Sequence, residues 1–315
     1  LWPHATEPLR TLLTVTLAMA SAVAMLALYQ FATDTIWWNE TLTTANNYNR
    51  FFRANGIFFD PNMLGRYLAL AMVAGVAVLL VTRTKQRAWL LSAACVVMAA
   101  GLVVTFSRSS AIMLTAALFV VAIRAFGAKR TLLVTLAALL LIGGPAMAFK
   151  DNEREKFTSW DELVSTSEGR HRLASGGVDL WKTAPIHGVG LGAFSERYAE
   201  TFSERDRDRT RVFISHTAPV TVLAELGAIG LGLFILMGLG AITALVTASR
   251  PRDANGLVAW TILAILIGIF LHSLLYSALF EDPYVWTLLG IGGALLAALR
   301  RDGDAPATVP PAPTV

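Results

Sequence analysis

The sequence predicts an all-α, polytopic integral membrane protein, and three observations predict it. Of 315 residues, 55% are hydrophobic and only 15% charged, whereas a soluble chain carries about 25% charged residues. Mean hydropathy is +0.57. Apolar runs recur at the roughly 17 to 25 residues needed to cross about 30 Å of hydrocarbon, and no barrel-type alternation appears. About eight such runs are expected as helices: Leu9–Phe31, Leu64–Val81, Ala88–Phe106, Ala111–Phe126, Leu132–Phe149, Val220–Ala248, Leu257–Leu279 and Val285–Leu299. The sixth is long enough to tilt strongly or to protrude beyond the bilayer.

Charge divides the connections into two sets. Arg83, Lys85 and Arg87, then Arg124, Lys129 and Arg130, then Arg250 and Arg252, then Arg300 and Arg301 fall on one side, which the positive-inside rule makes cytoplasmic. The 32–63 segment, the tight turn at Ser107 to Ser110, the interval from Lys150 to Pro219 and the 280–284 turn then face outward. The long interval exceeds the loop length over which positive charge controls translocation, so its arginines do not oppose this orientation. The expected organisation is a five-span bundle over 1–149, an extracytoplasmic loop over 150–219 and a three-span bundle over 220–301. A Pro/Ala-rich cytoplasmic tail over 302–315 is expected to be disordered. Within the loop, Asp161 to Thr183 and Ala193 to Arg205 are amphipathic enough for surface helices, with Pro185 and the glycines at 188, 190 and 192 breaking the chain between them. Leu1 stands first and no signal-peptide pattern precedes the first span, so the chain is expected to be the C-terminal portion of something longer.

The excess of 26 Lys and Arg over 22 Asp and Glu encodes membrane orientation rather than a nucleic-acid partner. The single cysteine, Cys95, excludes an intrachain disulfide and is expected to pack in an apolar helix. No carboxylate-rich Mg²⁺ motif occurs, so neither a metal nor a cofactor is assigned.

The chemistry is expected at the outer interface. Arg108, in TFSRSS, sits where two spans leave no room for a loop, and an arginine at such a boundary either snorkels or meets an anion. Arg50, Arg53 and Arg66 also run against the positive-inside bias, which points to an anionic ligand outside. Asp60 and Pro61 read as a helix start, and Asn62 and Arg66, one turn apart, present polar groups to that ligand. Arg170 and Arg172 flank His171 in the loop; a solvated face explains them equally well. Arginines from a helix end and a loop suit a diphosphate without a metal. His216 stands before the sixth span, where a neutral imidazole can cap a helix or take a proton from a sugar hydroxyl. Glu225 lies about two turns inside that span and is expected to orient the site or pair with an arginine. GVGLGAF from Gly188 has no strand before it, so it reads as a glycine turn and not a dinucleotide fingerprint. His272 either lines the same cavity or bonds a neighbouring helix. Glu281, Asp282 and Trp286 read as interfacial anchors.

The order TFSRSS, then EGR, then W-x3-P-x2-G-x-G-x-G-x-F, then a histidine followed by LAELGxxGL, resembles the bacterial O-antigen ligase and polymerase superfamily of membrane glycosyltransferases. The resemblance covers approximately Phe52 to Trp286. It implies a GT-C-like membrane enzyme of the bacterial inner membrane whose active site faces the periplasm. The implied donor is an undecaprenyl-diphosphate-linked glycan, used without metal or nucleotide. The implied acceptor is lipid A-core for a ligase, a lipid-linked repeat for a polymerase, or a protein hydroxyl for an O-oligosaccharyltransferase, and ligase is favoured. Residue by residue, it places diphosphate-binding arginines at Arg108 and Arg170 and the essential loop histidine at His216. Asn62, Arg66, Arg172 and Glu225 are the expected substrate-binding residues. The histidine is followed here by Thr217, where the superfamily often has asparagine. A transporter of an anionic lipid or solute is the alternative from another class, disfavoured by the absence of an inverted-repeat pattern.

Overall fold

A computed structural model describes residues 7–47, 52–135, 173–201, 217–250, 254–276, 279 and 282–304. Among these residues the fold is helical, with no strand. The helices are α1 (Glu7–Thr33), α2 (Glu40–Asn47), α3 (Pro61–Val81), α4 (Lys85–Val103), α5 (Arg108–Phe126), α6 (Phe194–Ala199), α7 (Ala218–Ala248), α8 (Ala254–Ser273) and α9 (Pro283–Asp304). Residues 128–135 and 173–183 are helical as well. Six of the helices, α1, α3, α4, α5, α7 and α8, are long and apolar enough to cross a membrane, and α9 carries a shorter apolar stretch, Pro283–Ala298. The expected fifth span lies outside the described residues beyond position 135, as does the tail from position 305.

Helix α3 is the centre of the bundle. It packs on α1, α4, α5 and α8, while α7 and α9 pack on each other and on α8. Most of α3 is buried, from Leu64 to Val78 with one interruption, as a helix that is apolar on all sides should be. Small residues permit close approach: a Cβ at Gly101 of α4 would lie 2.8 Å from Ala24 Cβ of α1. Helices in lipid associate through such contacts, because the surrounding hydrocarbon supplies no hydrophobic drive. Cys95 faces Gly75 of α3, the packing role expected of it.

Among the described residues, the two sets of connections lie at opposite ends of the bundle. At the end away from Arg83, Arg124 and Arg250, the arm over residues 52–59 is tied to α1 and to the α4–α5 turn. Buried Gln30 of α1 donates to Gly56 O at 2.8 Å and accepts from the Gly56 amide at 2.7 Å. Ala54 N donates to Val104 O at 3.0 Å. The expected tight turn is observed, with α4 ending at Val103 and α5 beginning at Arg108.

The long seventh helix differs from expectation in one respect. It is broken at Gly227 (φ 66°, ψ −164°), so its extra length is taken up by an interruption that only glycine adopts readily.

Candidate functional site

Two helix starts meet at the arm's end of the bundle. Asp60 caps α3 by accepting the Asn62 amide at 2.6 Å, with Pro61 in the first position. Ser107 caps α5 through the Ser110 amide at 3.3 Å. The two starts touch directly, because Ser110 Oγ donates to Asn62 O at 3.3 Å. A Cβ at Gly65 would stand 2.6 Å from the same Oγ, so the contact depends on a residue without a side chain. His272 of α8 completes the junction: its Nε2 lies 3.1 Å from Ser109 Oγ and 3.3 Å from Ser110 Oγ. A hydrogen bond to a neighbouring helix therefore holds this buried imidazole, one of its two expected roles.

Three arginines surround the junction. Arg108 opens α5 and is exposed, with no ion pair among the described residues. Its charge sits at the positive end of a helix dipole, where cations are disfavoured. Arg53 reaches the junction from the arm, donating from Nε to Thr105 O at 2.8 Å and from Nη2 to Asn62 Oδ1 at 3.2 Å. Burial lowers its pKa and the nearby Arg108 charge lowers it further, while Asp60 works in the opposite direction. Tyr276 is raised by burial and by the nearby Asp60 charge. Arg66 lies beneath, buried, its Nε 3.1 Å from Asp282 Oδ2. Asp282 also accepts the Tyr284 amide at 2.9 Å and so starts α9. Asp282 is thus a buried counter-ion, not the interfacial anchor expected of it; Trp286 remains half exposed.

Burial raises the Asp282 carboxyl, against the opposing pull of Arg66 and the Tyr284 amide. A raised carboxyl binds its proton more readily in the folded chain. Its contribution therefore favours folding below the unfolded carboxylate range and is lost as pH rises through the raised value. Removing only the cation strands a buried charge, so Arg66→Met is expected to destabilise by about 3–5 kcal/mol. Adding Asp282→Asn should recover much of that loss. Thermal unfolding of the two single variants and the double variant in detergent measures the coupling; additive losses would remove the pair.

Glu225 serves a different junction. It is buried, and its Oε1 accepts the Phe194 amide at 3.1 Å, at the start of α6. The neighbouring backbone joins the glycine turn to the break in α7. Val189 N donates to Ala224 O at 2.9 Å, Gly190 N to Glu225 O at 3.0 Å, and Ala228 N to Pro185 O at 2.9 Å. The orphan groups that the break exposes are thus satisfied by the loop. Residues 184–194 are thereby fixed to α7, so the expected turn is one that admits backbone to backbone. Glu225 pairs with a peptide N–H among the described residues and not with an arginine.

Of the expected site residues, the fold brings together Arg108 and Asn62 at one mouth, with Arg66 below them. Glu225 stands at the loop junction. Arg170, Arg172 and His216 lie outside the described residues, as do Glu168, His171 and Arg50. Sequence reasoning counted Arg53 among the outward arginines without giving it a site role. It missed Tyr276, whose only signal was a polar ring near the outer end of the expected seventh span. Between α7, α8 and α9 runs an apolar cavity of about 330 Å³, lined by residues including Phe234, Leu263, Ile267, Phe270 and Val285.

Residues 93–235 match a family model described as O-Antigen ligase, which supports the O-antigen ligase-like superfamily. The match runs from within α4 to within α7. It spans Arg108, Arg170, Arg172, His216 and Glu225 and leaves Arg53, Asn62 and Arg66 before it. The matched family implies O-antigen ligase- or polymerase-like activity on a lipid-linked glycan and a glycan acceptor. With the apolar helices it indicates a multi-pass membrane protein. No curated protein matches the chain.

Proposed function

We propose that this chain moves a glycan from an undecaprenyl-diphosphate carrier to an acceptor hydroxyl on the periplasmic face of the inner membrane, with lipid A-core the favoured acceptor. The observation that carries the reading is Arg108. Its guanidinium is exposed at the junction of two helix starts, unmatched by a carboxylate among the described residues, inside the stretch that matches the ligase family. A planar fork of donors there suits a pair of phosphate oxygens.

In this mechanism Arg108 and Arg170 hold the diphosphate and offset the charge that grows on it as its bond to the anomeric carbon breaks. His216 takes the proton from the acceptor hydroxyl, which attacks the opposite face of the sugar and inverts the anomeric centre. Asn62 and Arg172 contact substrate. Glu225 holds the loop against α7 and so sets where the loop's residues stand. Arg66 acts through Asp282, as the buried cation beneath the junction. The carrier's isoprenoid tail takes the apolar cavity beside α8, whose Phe270 is near His272 in sequence and whose Val285 opens α9 beside Tyr284. Metal plays no part in these steps, since the arginines supply the positive charge.

Purified protein in detergent, given one lipid-diphosphate glycan and a panel of acceptors, should release carrier diphosphate and form one glycosylated acceptor, identified by mass. Lipid A-core as the product defines a ligase, an elongated lipid-linked glycan a polymerase, and a modified peptide an O-oligosaccharyltransferase. No product with any acceptor would sink the proposal and favour a transporter, which needs a compartment and makes no new bond.

A further inference from the structure

Arg53 carries the inference. It is placed with unusual care for a residue on a connecting arm. Gln30 and Trp38 fix the arm through Gly56, Asn46 brackets the Arg53 backbone with bonds of 2.8 and 3.2 Å, and Ala54 is tied to Val104. The side chain then spends Nε on Thr105 O and Nη2 on Asn62 Oδ1. Both acceptors belong to the two helix starts at which Arg108 stands, and Thr105 is three residues from Arg108. Nη1, with two N–H groups, has no assigned acceptor among the described residues.

The charges at this mouth do not cancel. Arg66 is met by Asp282. Asp60 caps α3 and its charge also bears on Arg53. Asp60 offsets part of the effect of the Arg108 charge on Arg53, but two guanidiniums against one carboxylate leave the mouth positive, which favours an added anion there. One guanidinium is rigid and the other exposed, which suits a ligand with two linked phosphoryl groups: the first registers one phosphate and the second closes on the other.

We propose that Arg53 is a further diphosphate-contacting residue, gripping the carrier's phosphates together with Arg108, an inference that rests on the transfer reading above. Its consequence is selectivity for a diphosphate carrier over a monophosphate one.

The test measures binding of farnesyl diphosphate and farnesyl monophosphate to the full chain in detergent, alongside thermal unfolding. The wild-type protein should prefer the diphosphate. Arg53→Gln keeps an amide N–H for Thr105 O but removes the charge. It should weaken diphosphate binding by about 10- to 100-fold and leave the monophosphate nearly unchanged, so the preference collapses. Arg53→Lys keeps the charge without the fork and should fall between. If Arg53→Gln does not fold, Arg53→Lys decides by the same ratio. Variants that keep the wild-type ratio, or lose both ligands equally with a lowered unfolding temperature, would overturn the assignment and leave Arg53 a structural role. A wild-type protein with no diphosphate preference, or an Arg108→Gln variant that keeps it, removes the transfer reading itself; loss with Arg108→Gln but not with Arg53 variants removes only this inference.

Discussion

Arg108→Ala is expected to lower the rate of glycan transfer by about 10²–10³-fold, the usual cost of deleting one group that stabilises transition-state charge. The same change should leave the fold intact or slightly stabilise it, by about 0.3–1 kcal/mol, because a cation at a helix N-terminus opposes the dipole. That pairing of effects is diagnostic. A residue kept for stability loses both together, whereas one kept for an anion loses activity alone. Arg108→Lys retains the charge but not the two parallel donors, and should recover part of the rate. Single-turnover transfer and thermal unfolding of the same preparations give both readouts. Transfer within about twofold of wild type after Arg108→Ala would end this residue's role.

The second large effect concerns the break in α7. Gly227→Val should destabilise by about 3 kcal/mol or more, since its backbone conformation excludes a Cβ and overpacking adds to the cost. A Cβ there would stand 2.3 Å from Ile186 O. Gly188→Val should do the same, since its Cβ would meet the Glu225 carbonyl carbon at 2.2 Å with φ at +72°. Both changes free the loop from α7, so limited proteolysis should begin to cleave within residues 184–194. Gly232, also in α7, is the control: nothing lies within 4 Å of its Cβ position, and Gly232→Ala should be neutral or stabilising by up to about 1 kcal/mol. Resistance of Gly227→Val to unfolding and to protease would show that the loop does not depend on the break.

The two effects describe two parts of one arrangement. The helix-start junction is where the proposed mechanism holds the diphosphate. The loop junction fixes how residues 184–194 sit over α7. Each uses a glycine to bring polar groups within reach, Gly65 at the first and Gly188 with Gly227 at the second.

The sequence by itself determined the features that depend on local pattern. Run length and hydropathy defined the spans, because crossing hydrocarbon is a requirement on consecutive residues. Short basic connections sorted the loops into two sets, and those sets occupy opposite ends of the bundle. The Asp60 cap and the tight turn before Arg108 were legible for the same reason, since caps and turns are made within a few residues. Only the tertiary structure decided the pairings between distant segments. Asp282 reads as an interfacial residue until the start of α9 comes beside α3 and its carboxylate reaches Arg66. Glu225 reads as an intramembrane charge that orients the site or pairs with an arginine until the Phe194 amide arrives from the loop. The glycines of GVGLGAF look like a simple turn until the broken α7 lies across them. In each case the deciding contact joins residues that no sequence window holds together. What rewards it is the satisfaction of a buried polar group, which depends on which helix happens to be adjacent.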